Sequence, residues 1–130
     1  LSLPGNHPLA HEPLDFSRLG SERFIAVSQN DGPALYDQIM RVCRSRGYTP
    51  HVTCQYNTAE TVLISVDAGL GISIIPEVLS RVFYSENVVF IPIEGRDALR
   101  SYVIAWRRNV TNPAVELFID CVRPLFEPGR

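Results

Sequence analysis

The stretch Val66-Asp67-Ala68-Gly69-Leu70-Gly71-Ile72-Ser73-Ile74-Ile75-Pro76 decides the fold. Its first residues end an apolar helical run, and Gly69 supplies the residue that most readily stops a helix. Gly71 to Ile75 then reads as a short buried strand closed by Pro76. A dinucleotide fingerprint would place its glycines between a strand and a following helix. Here the order is helix, glycines, strand, so Gly69 and Gly71 read as a helix stop and a tight turn.

Reading outward from this stretch extends the alternation. Upstream, Ala59 to Ala68 carries Val62, Leu63, Ile64 and Val66, apolar on most sides, and Asn57 precedes Glu60 by the spacing of a capping box. Pro50 to Gln55 reads as a strand with Val52 and Cys54 on one face. Before it, a helix from Pro33 to Arg46 opens with Asp31 or Gly32 at the cap and Pro33 in the first turn, and stops at Gly47. Phe24-Ile25-Ala26-Val27 is a continuous apolar run of strand length. Strand, helix, strand, helix, strand with short connections predicts an α/β protein with a mostly parallel sheet flanked by helices and joined by right-handed crossovers.

The remaining segments fit around this unit. At the front, Leu1-Ser2-Leu3 reads as a strand start, followed by a connector in which Pro4, Gly5, Pro8 and Pro13 forbid a helix, with one turn at Asp15 to Leu19. Downstream, Leu79 to Phe83 reads as a short helix, and Val88 to Ile93 and Tyr102 to Trp106 as strands. The last helix opens at Asn112-Pro113. Its apolar positions Val115, Phe118, Ile119, Val122, Leu125 and Phe126 follow the helical period, and Pro124 limits its end. The chain opens at Leu1 without Met, inside a strand, and is expected to be a piece of something longer.

Composition narrows the function classes. With 130 residues and 45% hydrophobic residues the chain can bury a core but has little room for a two-domain enzyme. Its 12 Lys plus Arg against 14 Asp plus Glu give a net charge of -2, so nothing draws the chain as a whole to a phosphate backbone. No run approaches the ~20 apolar residues of a membrane helix, and the first residues lack a signal core. Cys43, Cys54 and Cys121 are odd in number and without metal spacing, which fits a reducing cytoplasm better than a disulfide framework.

Catalytic and metal motifs are thin. His7 and His11 are four apart, but Pro8 breaks the helix that would put both on one face, and His51 stands alone in a strand. There is no nucleophile elbow, and the Asn109-Val110-Thr111 sequon reads as a chance match. No enzyme, metal or cofactor is expected. The informative feature is the sheet edge where the carboxyl ends of parallel strands meet, because ligands bind there. Ser28 to Gly32, Tyr56 to Thr58 and the Ile75-Pro76 turn converge at that edge. The first two lead into helix N-termini, whose free N–H groups and dipole favour an anion. Ser28, Gln29, Asn30, Asn57 and Thr58 add side-chain donors, although Asp31, Asn57 and Thr58 read equally well as helix caps.

The helix from Pro33 to Arg46 carries one more signal. Leu35, Tyr36, Ile39, Met40, Val42 and Cys43 spread over roughly 160° of its circumference, wider than a single seam against a sheet. The surplus is covered either by a neighbouring loop or by a partner chain. With Leu35, Ile39 and Val42 toward the sheet, Tyr36, Met40 and Cys43 would meet the partner.

The segments quoted so far resemble the effector-binding region of LysR-type transcriptional regulators. The resemblance runs from Leu3-Pro4-Gly5-Asn6-His7-Pro8-Leu9 through Phe24 to Asp37, Cys43 to Pro50 and Val66 to Pro76, and ends at Ala105-Trp106-Arg107-Arg108. It implies a fold like the type II periplasmic binding proteins, two α/β lobes joined by crossing strands with an effector between them. Residues 1–4 and 102–107 would be the crossing strands, about 5–101 the second lobe, and 108–130 a helix returning to the first lobe. The family's N-terminal DNA-binding domain and most of the first lobe are not in this sequence.

By position, the family's effector-contacting loops fall on Ser28, Gln29 and Asn30 and on Tyr56, Asn57 and Thr58. Many relatives have Pro where Ser28 stands, which adds a hydroxyl donor here. The family's dimers use the helix 33–46 against a first-lobe helix, so the resemblance implies a homo-oligomer, dimer or tetramer, through Tyr36, Met40 and Cys43. It implies a cytoplasmic regulator that binds a small, anionic effector, changes the intact dimer's grip on DNA, and touches no membrane. The rival reading is a solute-binding protein for transport, which shares the fold but requires export.

Overall fold

A strand buried on both faces must be apolar where it is buried, and β2 (Arg23–Val27) is such a strand after its exposed first residue: Phe24, Ile25, Ala26 and Val27 are all buried. In the computed structural model, which describes residues 1–101, 103–109 and 111–125, the chain divides into two units, Leu1–Arg100 and Ser101–Arg130. In the first unit β1 (Ser2–Pro4) is followed by a 3-10 turn at Phe16–Leu19, β2, α1 (Pro33–Ser45), β3 (His51–Tyr56), α2 (Ala59–Asp67), α3 (Glu77–Ser80) and β4 (Val88–Phe90). The second unit contains α4 (Pro113–Val122) and a 3-10 turn at Arg123–Leu125.

The sheet is continuous through a narrow waist. β3 runs parallel to β2, and β1 runs antiparallel to β4. Ile72 and Ser73 join the two pairs. The Ile72 N–H donates to the Arg23 carbonyl at 2.9 Å and the Ser73 N–H to the Ser2 carbonyl at 3.0 Å. The strand expected from Gly71 to Ile75 therefore contracts to two bridging residues. The buried Ser73 hydroxyl donates to the Ile25 carbonyl at 2.7 Å, taking the acceptor that a longer parallel ladder would offer to the next backbone N–H. Gly71 is required for the approach: a Cβ there would lie 2.3 Å from the Arg23 carbonyl oxygen.

Alternation along β2 divides the core between the two faces. Phe24 and Ala26 join Leu1, Leu3, Leu19, Ile39, Met40, Cys43, Tyr48 and Ile72 on the α1 side. Ile25 and Val27 join Val62 and Val66 of α2 on the other. Both long helices of this unit end in the same left-handed glycine motif. Gly47 has φ +69° and Gly69 φ +76°. The N–H of the residue after each glycine reaches back to close the last turn, from Tyr48 to Cys43 and from Leu70 to Ser65, each at 3.0 Å.

Several local expectations are corrected. Val52 pairs with Phe24 but Cys54 pairs with Ile25, so a bulge at Thr53 puts Val52 and Cys54 on opposite faces and leaves Cys54 exposed. The cap of α2 is Thr58 rather than Asn57: its hydroxyl accepts from the Thr61 N–H at 3.2 Å. The cap of α1 is Gly32, one of the two residues expected there. The short helix starts at Glu77, directly after Pro76, two residues before the expected Leu79. β4 ends at Phe90, short of the expected Ile93, although the Ile91 N–H still donates to the Leu1 carbonyl at 2.8 Å. Residues 103–106 form no strand, since none of the described residues pairs with them, and Tyr102 lies outside the described residues. Phe126 and Val110, in the last apolar stripe and the sequon, also lie outside them. Asn112 caps α4 as expected, accepting from the Ala114 N–H at 3.0 Å. Among the described residues no helix is long and apolar enough to cross a membrane.

Candidate functional site

Two βα turns are held side by side by one backbone hydrogen bond, from the Ser28 N–H to the Tyr56 carbonyl at 2.7 Å. It is the last rung of the β2–β3 pair, so the first residues after both strands emerge together at the carboxyl edge of the sheet. Ser28 then folds its own turn. Its carbonyl accepts from the Gly32 N–H at 2.9 Å and the Asp31 N–H at 3.2 Å, and its hydroxyl accepts from the Asn30 N–H at 3.2 Å. Because that hydroxyl accepts from Asn30, its own proton is free to be donated elsewhere. Ser28 and Tyr56 are half-buried, while Gln29, Asn30, Asn57 and Thr58 are exposed. Ile75, at the third turn, packs into the same apolar cluster as Val27 and Tyr56.

The helix starts at this edge differ in their unused donors. At α1, the N–H groups of Asp31 and Gly32 are consumed by Ser28 and Pro33 has none to give, which leaves only those of Ala34 and Leu35 without an acceptor among the described residues. At α2, Thr58 satisfies Thr61, and the N–H groups of Thr58, Ala59 and Glu60 have no acceptor among the described residues. The Thr58 hydroxyl also lies 3.0 Å from the Thr61 hydroxyl. The richer set of unpaired donors is therefore at α2, where the dipole of a nine-residue helix adds positive potential.

The family model of the LysR substrate binding domain matches residues 1–127. The chain belongs to this family. It is 33% identical over 118 residues to the uncharacterized HTH-type transcriptional regulator YnfL of Escherichia coli (strain K12), a match that covers 89% of this chain and 39% of YnfL. It is 28% identical over 120 residues to the HTH-type transcriptional regulator AlsR of Bacillus subtilis (strain 168), covering 92% of this chain and 39% of AlsR. The chain thus spans about two fifths of the length of these curated relatives, which are transcriptional regulators and not enzymes.

Solved structures agree on the fold. The C-terminal domain of a probable LysR family transcriptional regulator from Rhodococcus sp. RHA1 superposes with a TM-score of 0.70 at 23% identity, covering 94% of this chain and 61% of that one. The BenM effector binding domain with its effector benzoate gives a TM-score of 0.70 at 16% identity, covering 96% and 57%. The architecture is that of a LysR effector-binding domain, α/β and of the type II periplasmic-binding-protein kind.

Within this LysR domain the histidines are apart from the strand-end loops. His7 is tied to the connector, its Nδ1 accepting from the Leu9 N–H at 3.1 Å and its Nε2 lying 3.1 Å from a Glu22 carboxylate oxygen. His11 and His51 are exposed. Among the described residues no group of three or more His, Cys, Asp and Glu is placed to hold a metal ion.

The residues expected at a partner chain differ in exposure. Met40 and Cys43 are buried in the α1-side core, and Tyr36 packs half-buried against it. Burial pushes the Cys43 thiol up to about 11 despite the opposing charges of Arg46 and Arg44. Met40 and Cys43 belong to the same core cluster as Phe24 and Tyr48. The rest of the wide apolar arc is covered from within by the segment that follows β4. There the Gln38 amide donates to the Leu99 carbonyl at 3.0 Å, and Arg46 reaches the Glu94 carbonyl at 2.6 Å. The outward side of α1 carries Asp37, Arg41 and Arg44, all exposed.

Sequence reasoning expected free N–H groups at both helix starts without singling out those of Ala59 and Glu60, and it missed Thr61. The available signal was the Thr58-Ala59-Glu60-Thr61 spacing, which places a hydroxyl at the cap and another three residues on.

Proposed function

We propose that this chain is the effector-sensing part of a cytoplasmic LysR-type regulator, and that a small anionic metabolite binds at the carboxyl edge of its sheet. The observation that carries the reading is the Ser28-to-Tyr56 hydrogen bond, which brings together two turns bearing hydroxyls and unpaired N–H groups beside the start of α2. The anion's oxygens accept from the N–H groups of Ala59 and Glu60 and from the hydroxyls of Ser28 and Thr58, with Gln29, Asn30, Tyr56 and Asn57 around them. BenM binds benzoate as its effector, and a carboxylate is the simplest group suited to such donors. Residues 5–101 act as the second lobe, with 1–4 and 102–107 crossing to a first lobe and 108–130 returning to it. That first lobe closes the cleft from the opposite side. Effector binding then shifts the populations of lobe geometries in the intact oligomer and alters its hold on DNA through a separate N-terminal domain.

The test is a thermal-shift screen of small carboxylates, benzoate among them, on the full-length regulator, since a ligand that binds only the native state raises its melting temperature. A charge-assisted hydrogen bond contributes about 1.5 to 3 kcal/mol, so Ser28→Ala and Thr58→Ala should each weaken the best carboxylate by roughly ten to a hundred fold. Stabilisation by uncharged analogues equal to that by the acids would reject the anionic reading. Unchanged affinity in both variants would remove these loops from the site.

A further inference from the structure

We draw no further inference here: the strongest candidate, the cleft at the amino edge of the parallel strands between Pro4, Gly5 and the end of α2, lined also by His11, Asp67 and Glu86, is an exposed acidic cluster for which no second observation points to a ligand.

Discussion

α1 and α4 both repeat apolar residues at the helical period, yet they end in opposite situations. In α1, Ile39, Met40, Val42 and Cys43 are all buried. In α4 no residue is buried, and Leu117 and Phe118 are 67% and 58% exposed. The period of an apolar pattern states that a face needs cover. It does not state which element provides the cover. α1 is covered twice by its own unit, on one side by β2 and the core around Tyr48 and on the other by the segment after β4. Much of the demand on α1 is thus met inside its own unit, while the comparable demand on α4 is unmet among the described residues.

Charge insertion is the most direct way to break this contrast. Met40→Glu places a carboxylate in the apolar core that holds Phe24, Tyr48 and Ile72, which should cost at least ~3 kcal/mol and lower the melting temperature by more than about 10 °C. The matched substitution on α4, Phe118→Glu, made in this chain alone, should change the unfolding free energy by no more than about 0.5 kcal/mol, because there that side chain is already in water. Urea melts of the two purified variants beside the parent decide the matter. A Met40→Glu protein as stable as the parent would return that flank of α1 to a partner chain.

The two glycines of the deciding stretch offer a finer comparison of the same kind, between a packed position and an open one. A Cβ at Gly71 meets the Arg23 carbonyl oxygen at 2.3 Å, so Gly71→Ala must push the bridge away from β2 and should cost roughly 1–3 kcal/mol, at the upper end if the sheet waist cannot relax. At Gly69 a Cβ meets nothing within 4 Å, and only the left-handed φ of +76° is penalised, by about 1 kcal/mol. Equal costs for the two substitutions would mean that the bridge through Ile72 is not a tight contact.

These pairs mark what the sequence could and could not reveal. β2 was legible because a strand buried on both faces leaves a continuous apolar run, Phe24 to Val27. Both helix ends were legible because Gly47 and Gly69 carry a conformational demand in a single residue. The phase of β3 was hidden, since a bulge at Thr53 depends on pairing with β2 and has no compositional mark of its own. The short bridge at Ile72 and Ser73 was hidden for a similar reason: the Ser73 hydroxyl ends the ladder by a contact with a residue far away in the chain, the Ile25 carbonyl. At the candidate site, the two turns were legible from topology, because parallel strands bring their ends to one edge. Which donors remain free was not, because that depends on the Ser28 carbonyl consuming the N–H groups of Asp31 and Gly32 while those of Thr58, Ala59 and Glu60 at α2 stay unpaired.

The smallest expected effect tests the outer cover of α1 by pH. Arg46 forms a fork with Asp97, Nη1 to Oδ2 at 2.5 Å and Nη2 to Oδ1 at 3.1 Å, while the Ser45 hydroxyl donates to the same carboxylate at 2.6 Å. The Arg46 guanidinium also sits 5.3 Å over the Phe16 ring, so the fork ties the segment after β4 to both the end of α1 and the early connector. These hydrogen bonds, from Arg46 first and then Ser45, hold the Asp97 carboxyl down to about 2 from its ordinary 3.8. A carboxyl with a lower pKa folded than unfolded binds fewer protons in the folded state, so its stabilisation is present in full above about pH 4 and is lost as pH falls toward 2. Asp97→Asn removes the titration. The parent should be more stable than the variant by a constant amount from pH 5 to 7, and the gap should close between about pH 4 and 2. Because the pair is solvent-exposed, the gap should also narrow in high salt. Urea midpoints measured across that pH range for both proteins give the answer. A gap that is absent at pH 7, or that persists unchanged to pH 2, would mean that the Asp97 fork does not hold the cover over α1, and that Gln38 with the apolar contacts of Ile91 and Ile93 does so without it.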